Sequence, residues 1–181
     1  MACRLSRRAG VRPGDRALTP GLARSGATRS PPVRTRGLGG PVMTGHIDPE
    51  RAAFEAFKAL PRDEPVHMLN LIRLRDEAAY PDGRTATGAE AYKAYGEQSG
   101  PIFRRVGGSI VWRGAPKLTL IGPGEEAWDL AFVAAYPGAR AFLEMVTDPV
   151  YQSHAVPHRQ AAVLDSRLIR HAPLGGGDAF G

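Results

Sequence analysis

Cysteine is nearly absent from this 181-residue chain; the single one is Cys3. An internal disulfide framework is therefore excluded, and beyond residue 3 so are thiolate catalysis and cysteine-based zinc sites. Long apolar runs are missing as well. No stretch reaches the roughly 18 consecutive apolar residues that a membrane-spanning helix needs. Aromatic residues make up 7% of the chain, and residues 1–42 have none. That segment also lacks Ile, Lys, Glu, Asn, Gln and His.

What residues 1–42 do contain is nine Arg, seven Gly, five Pro and one acid, Asp15. Residues 43–181 hold 15 basic and 17 acidic residues, so the formal charge of +6 divides into +8 before Met43 and −2 from it onward. A basic protein invites a nucleic-acid reading. Here the excess charge sits where no apolar core can form, since ordering the backbone costs roughly 1–2 kcal/mol per residue and nothing offsets it. The mildly acidic remainder has no basic run interleaved with aromatics, which argues against specific nucleic-acid recognition. Residues 1–42 are expected to be a disordered basic tail. Three origins fit that composition: a misplaced start with Met43 as the initiator, a targeting peptide, or a basic arm for anionic polymers. The apolar core of a secretory signal, about 7–15 residues, is not present. A cytoplasmic protein without a membrane anchor is the expectation.

Residues 43–174 read as one domain. Asp48-Pro49 predicts a helix start, with Asp48 as cap and Pro49 in the first turn. Ala53, Phe54, Phe57 and Leu60 recur at helical spacing up to Pro61. Residues 66–74 read as a central strand, apolar on both faces. Thr87 and Glu90 form a capping-box pattern, and the helix it opens should run to Gly107-Gly108 with a kink at Gly100-Pro101. A second strand starts at Ser109, and Leu118–Ile121 should continue it or pair with it. Ala127–Tyr136 alternates as a third strand. A helix follows Pro137-Gly138, and Asp148-Pro149 opens a further helical piece split at Pro157. Asp165–His171 closes the pattern as a last strand, and residues 175–181 read as a flexible tail.

The order is one helix followed by β-α-β-β-α-β. This predicts an α+β, ferredoxin-like sandwich, with one antiparallel sheet covered on one face by two helices. Trp128, Phe132 and other strand residues make a bare second face unfavourable, and pairing two such sheets in a homodimer would cover it.

Four stretches carry a family resemblance: MLNLIRLRDEAAYPDGR (68–84), TGAEAYKAYGEQSGPIFRRVGG (87–108), AWDLAFVAAYPGARAFLEMVTDPVYQ (127–152) and HRQAAVLDSRLI (158–169). Together they resemble the uncharacterised bacterial family called domain of unknown function 1330, of the dimeric α/β-barrel superfamily. The resemblance implies a ferredoxin-like protomer and a homodimer with facing sheets. It implies no established activity. Distant members of that superfamily include cofactor-free monooxygenases, haem-processing enzymes and small-molecule isomerases or lyases, an analogy at the level of fold alone.

A few polar groups in apolar elements are the candidate site. Asn70 interrupts an apolar strand and either ties the core together or faces a ligand. Arg73 is a strand-end cation or a carboxylate anchor. Tyr92 and Trp112 are core or interface aromatics and ligand-binding candidates, and Arg159 is a further ligand-binding candidate. His158 and Asp165 are the candidates for proton transfer; Asp165 would need burial to raise its pKa, and otherwise serves as a cap or as an ion-pair partner of Arg159 or Arg167. His154 and His158 lie four apart, but Pro157 distorts the turn between them and no third ligand is near, so no metal is expected. Neither glycine cluster has the ending of a phosphate loop, and Ser153 lacks a nucleophile elbow. The expected function is binding of a small organic molecule between sheet and helices, with or without cofactor-free catalysis. The alternative is a non-catalytic ligand-binding or protein-interaction dimer.

Overall fold

The computed structural model describes residues 45–177. The expectations for residues 1–42 and for the end of the C-terminal tail lie outside them. In chain order the elements are α1 (Arg51–Ala59), β1 (Val66–Leu74), α2 (Gly88–Arg105), β2 (Ser109–Gly114), β3 (Leu130–Tyr136), α3 (Ala139–Thr147), a π-helical turn (Tyr151–Ala155), α4 (Val156–Ala162) and β4 (Val163–His171). The strands form one sheet in the order β2-β3-β1-β4, with every neighbouring pair antiparallel. Each of the two helical crossovers skips one strand. This is the ferredoxin-like split β-α-β arrangement, preceded by one extra helix.

Local chemistry accounts for the helix ends. Thr87 Oγ1 accepts the Glu90 backbone N–H at 3.1 Å, and the Glu90 carboxylate accepts the Thr87 N–H at 2.8 Å. Gly107, at φ +81°, ends α2. Its N–H reaches the Arg104 carbonyl and that of Gly108 reaches Phe103, a Schellman closure that needs the left-handed residue. Asp148 Oδ1 accepts the N–H groups of Val150 and Tyr151 at 2.7 and 3.0 Å, which opens the second helical piece as expected. The split near Pro157 is present too: the π-helical turn ends at Ala155 and Pro157 falls in the first turn of α4.

Three local expectations are corrected. α1 begins at Arg51 rather than at Pro49, and Asp48 is not its cap. The Asp48 carboxylate instead accepts from Gln160 Nε2 at 2.8 Å. α2 runs as expected from Gly88 to Arg105, short of Gly107-Gly108, with Pro101 inside it. Pro101 and Glu97, whose carbonyl loses the corresponding bond, both lie on the exposed side of that helix. Leu118–Ile121 is not a strand. Pairing of β2 with β3 ends at Gly114↔Ala131, and the stretch between Pro116 and Gly122-Pro123-Gly124 has no ladder to join. Finally, β3 starts at Leu130, because Asp129 turns to bond the end of β1: its N–H meets the Ile72 carbonyl and its carboxylate the Leu74 N–H. Among the described residues no helix is long and apolar enough to cross a membrane.

Directly opposed residues of antiparallel strands share a face, so the register defines the two sides of the sheet. Val66, Met68, Asn70 and Ile72 of β1 point with Tyr136, Ala134, Phe132 and Leu130 of β3 toward the helices. His67, Leu69, Leu71 and Arg73 point the other way. On the helix side the buried residues form two clusters. One gathers Val66, Met68, Ile102, Val106, Ala134, Tyr136 and Met145; the other gathers Ile72, Ala91, Ala162 and Val163. Phe132 packs partly against both.

Candidate functional site

Between the two clusters the sheet is not filled. A cavity of about 1370 Å³ lies above the middle of the inner face, roofed by α1 and walled by α2, α3 and α4. Its floor is a row of four residues in register across the sheet: Arg113 (β2), Phe132 (β3), Asn70 (β1) and Leu168 (β4). Above the row, Tyr92, Tyr95 and Ser99 look down from α2, and Tyr151 from the π-helical turn. The Tyr95 and Tyr151 hydroxyls are 3.1 Å apart, and the Tyr92 and Tyr95 rings 5.3 Å. Phe57, Phe142 and Met145 line the apolar end, with the two phenyl rings 5.1 Å apart.

Burial pushes the Tyr92 phenol well above its ordinary value, and the neighbouring Tyr95 adds to this against the smaller opposing pull of Arg159 and Arg113. Burial does the same to Tyr151, with Tyr95 again contributing. Both hydroxyls are therefore neutral donors at physiological pH, not bases. Asn70 Nδ2 donates to the Met68 carbonyl at 2.9 Å, which fixes the orientation of the amide. One N–H and the oxygen of that amide remain for another partner.

Two arginines hold the roof. Arg159 donates to the Ile47 carbonyl and, at 3.2 Å, to Ser166 Oγ, with Asp48 3.7 Å away. Arg170 donates to the carbonyls of Phe57 and Pro61 and stacks on the Phe57 ring at 5.1 Å. The His46 carbonyl is anchored by the Ser166 N–H and hydroxyl. Residues 46–61 are thus strapped over the cavity through their backbone, although α1 itself buries no side chain.

Comparison with known proteins agrees with this fold. Residues 84–172 match the family model described as Domain of unknown function (DUF1330). The RPA0582 protein of Rhodopseudomonas palustris, described as a protein of unknown function, is 59% identical, covers 74% of this chain and 100% of its own, and superposes with a TM-score of 0.70. Its methylated form gives 60% identity, coverage of 75% and 100%, and a TM-score of 0.72. The chain belongs to the DUF1330 family. A protein from Bacteroides fragilis, described as dimeric, of unknown function and of ferredoxin-like fold, is 14% identical with a TM-score of 0.39, covering 60% of this chain and 95% of that one. No curated protein matches the chain.

In this DUF1330 protein, three of the seven residues expected at the site line the cavity: Asn70, Tyr92 and Arg159. The other four are elsewhere. Arg73 and Asp165 oppose each other on the outer face of the sheet. Arg73 reaches the Glu125 carbonyl at 3.4 Å. Asp165 meets Arg167 at 2.7 Å, not Arg159. Its pKa is lowered rather than raised: burial pulls it up, but the N–H of His46, the Arg167 guanidinium and the N–H of Ser166 together outweigh that pull. A carboxylate held in its charged form in this way is a structural anion, not a base tuned to neutral pH. His158 lies on the far side of α4, where its Nδ1 is 2.6 Å from the Tyr80 hydroxyl and its ring stands edge-on to Tyr80. His154 turns to Ser153 Oγ at 2.8 Å, so the two histidines do not converge. Trp112 faces outward opposite Val133 and is 53% exposed.

Arg113 is the residue that strict alternation hides. The β2–β3 register shifts between Ile110 and Trp112, a bulge that inserts Val111. Ile110 opposes Ala134 and Arg113 opposes Phe132, so these two share the inner face, and Trp112 is turned outward. Without the bulge Trp112 would lie on the same side as Ile110 and Arg113 on the other. Gly107-Gly108 just upstream marks the turn, but nothing in the sequence marks the inserted residue.

Proposed function

We propose that this protein is a homodimer that binds a small organic molecule in the cavity between the inner sheet face and the helices. The cavity itself carries the reading. Apolar walls enclose a few polar groups that converge from three different elements: Asn70 from β1, Tyr92 from α2 and Arg159 from α4. That is the usual composition of a ligand site, and the volume exceeds the range of about 300–1,000 Å³ typical of such pockets. Catalysis is not part of the proposal, because His158 and Asp165 do not line the cavity.

The second copy is assigned to the outer face. Trp112 and Ile169 are 53% and 45% exposed there, beside half-buried Leu69, Leu71 and Val133. Leu118, Leu120 and Ile121 in the β2–β3 connection are 81–92% exposed. Apolar surface of this extent is unusual on a monomer, and a sheet face can pair with its own copy about a two-fold axis. The proposal places the protein in the cytoplasm, which cell fractionation would check.

The test is a thermal-shift screen of small organic acids, amides and aromatics on the full chain, with molar mass measured by light scattering. Compounds that raise the midpoint and a dimer mass at micromolar concentration are expected. A flat screen confirmed by calorimetry defeats the binding claim, and a monomer mass defeats the dimer.

A further inference from the structure

The floor of the cavity contains a cation with nothing to neutralise it. Of the other arginines of the sheet near the cavity, Arg170 on the inner face is held by the carbonyls of Phe57 and Pro61, and Arg167, opposite Leu71, turns to the outer face, where it meets Asp165 and Glu126. Arg113 has no ion pair and no hydrogen bond among the described residues. The acids of the lining, Asp48 and Glu50, come from the strap, and Asp48 is already held by Gln160. Arg113 stands on the same row as Asn70, separated from it only by Phe132. Strands are spaced about 4.8 Å apart, so the two Cα atoms are about 10 Å apart, within the joint reach of an arginine and a small bound group.

Around that cation the other polar groups are neutral: the spare N–H and oxygen of Asn70 and the phenol of Tyr92. Among the described residues no glycine-rich loop lines the cavity to share a phosphate's charge, and the guanidinium groups of Arg159 and Arg170 are committed to partners in the fold. The far end of the cavity is apolar, bounded by Phe57, Phe142, Tyr136 and Met145. On the sheet side, one unpaired guanidinium with aromatic walls at the far end matches a ligand that carries a single negative charge on an apolar body; Arg51 lines the cavity from the exposed roof helix.

We propose that the cavity takes an amphipathic monocarboxylate, its carboxylate on Arg113 beside Asn70 and Tyr92, and its apolar body toward Phe57 and Phe142. This rests on the binding function proposed above and names its ligand class. Arg113 supplies a bidentate fork that matches the carboxylate, and the neutral phenol donates to the same group.

The test compares phenylbutyrate, naphthylacetate and laurate with their primary amides, by calorimetry on the full chain at low salt. Each acid should bind more tightly than its amide. Arg113→Gln should weaken the acids about tenfold or more and leave the amides within about twofold, the scale of a charge-assisted bond. Arg113→Lys should recover part of the loss, and Arg104→Gln, on the exposed side of α2 and away from the cavity, should change neither. Because Arg113 is exposed and bonds nothing in the fold, its variants should melt like the wild type. Amides that bind as well as acids, or acids indifferent to Arg113→Gln, overturn the ligand class while the binding site stands. If neither acids nor amides bind, the class proposal and its cavity fall together.

Discussion

On the inner face of the sheet, Ile72, Met68 and Val66 are sealed under helices, yet Asn70 in the same strand opens onto a cavity. On the outer face, Leu69, Leu71, Trp112 and Ile169 belong to neither buried cluster of the described residues, and the charged groups gather at one end: Arg73, Asp165 and Arg167, with Glu126 3.9 Å from Arg167. The covered face therefore contains the unfilled space, and the uncovered face is the one most suited to complete packing. The difference separates two tasks within four strands. On the proposed function, alternate residues of β1 serve a pocket on one side and a docking surface on the other, so that a change at one residue should act on one task at a time.

The largest effect should come from removing apolar volume on the inner side. Ile72 is 1% exposed. Ile72→Ala should cost about 2–5 kcal/mol in urea unfolding, the usual range for a buried aliphatic truncation. Leu71→Ala, one residue away on the outer face, should cost clearly less when measured at a concentration low enough to keep the chain monomeric. Equal costs would erase the distinction between the faces.

Next comes the outer face. Trp112→Ala should raise the dimer dissociation constant by about thirtyfold, equivalent to about 2 kcal/mol for a central aromatic anchor. Sedimentation equilibrium measures this, and an unchanged constant would place the interface elsewhere.

A smaller effect is expected where the inner face is already open. Asn70→Ala loses one hydrogen bond, to the Met68 carbonyl, and should cost about 1 kcal/mol. Sedimentation should show its oligomeric state unchanged. A loss several times larger would make Asn70 a core tie and not a cavity residue.

The smallest effect appears only in acid. The folded Asp165 carboxyl titrates below its unfolded value of 3.8. Its contribution is complete above that value and is lost as pH falls through the lower folded value. Asp165→Asn should therefore flatten the acid limb of a stability–pH curve below about pH 4 and leave the curve's shape near neutrality unchanged. A steeper acid limb in the variant would contradict the assignment of Asp165 as a paired outer-face anion.

The fold was more legible in the sequence than the site. Caps at Thr87 and Asp148, the glycine closure at 107–108 and the alternation of β1 and β3 are local signals, and local hydrogen bonds realise them. Leu118–Ile121 misled because its apolar content resembles a strand, while pairing is decided by whether a neighbour exists. At the site, Asn70 was legible as a polar break in an apolar strand. Arg113 was not, since one inserted residue reverses the side on which every later residue of β2 falls. Arg73 and Asp165 were plausible for their chemistry, but register sent both to the face opposite Asn70. The tethers of Arg159 and Arg170 are long-range bonds to carbonyls, and no spacing in the sequence encodes them.

The strap has a kinetic consequence. Because no side chain of α1 is fully buried, and its ties are Phe57 against Phe142 together with the tethers of Arg159, Ser166 and Arg170, it should detach at lower cost than unfolding the sheet. Its amides should exchange with deuterium through this local opening, much faster than those of β1. The frequency of that opening would set the rate at which any guest enters or leaves, so exchange in residues 51–59 and the dissociation rate should fall together when the arginine tethers are strengthened, and rise together when they are cut.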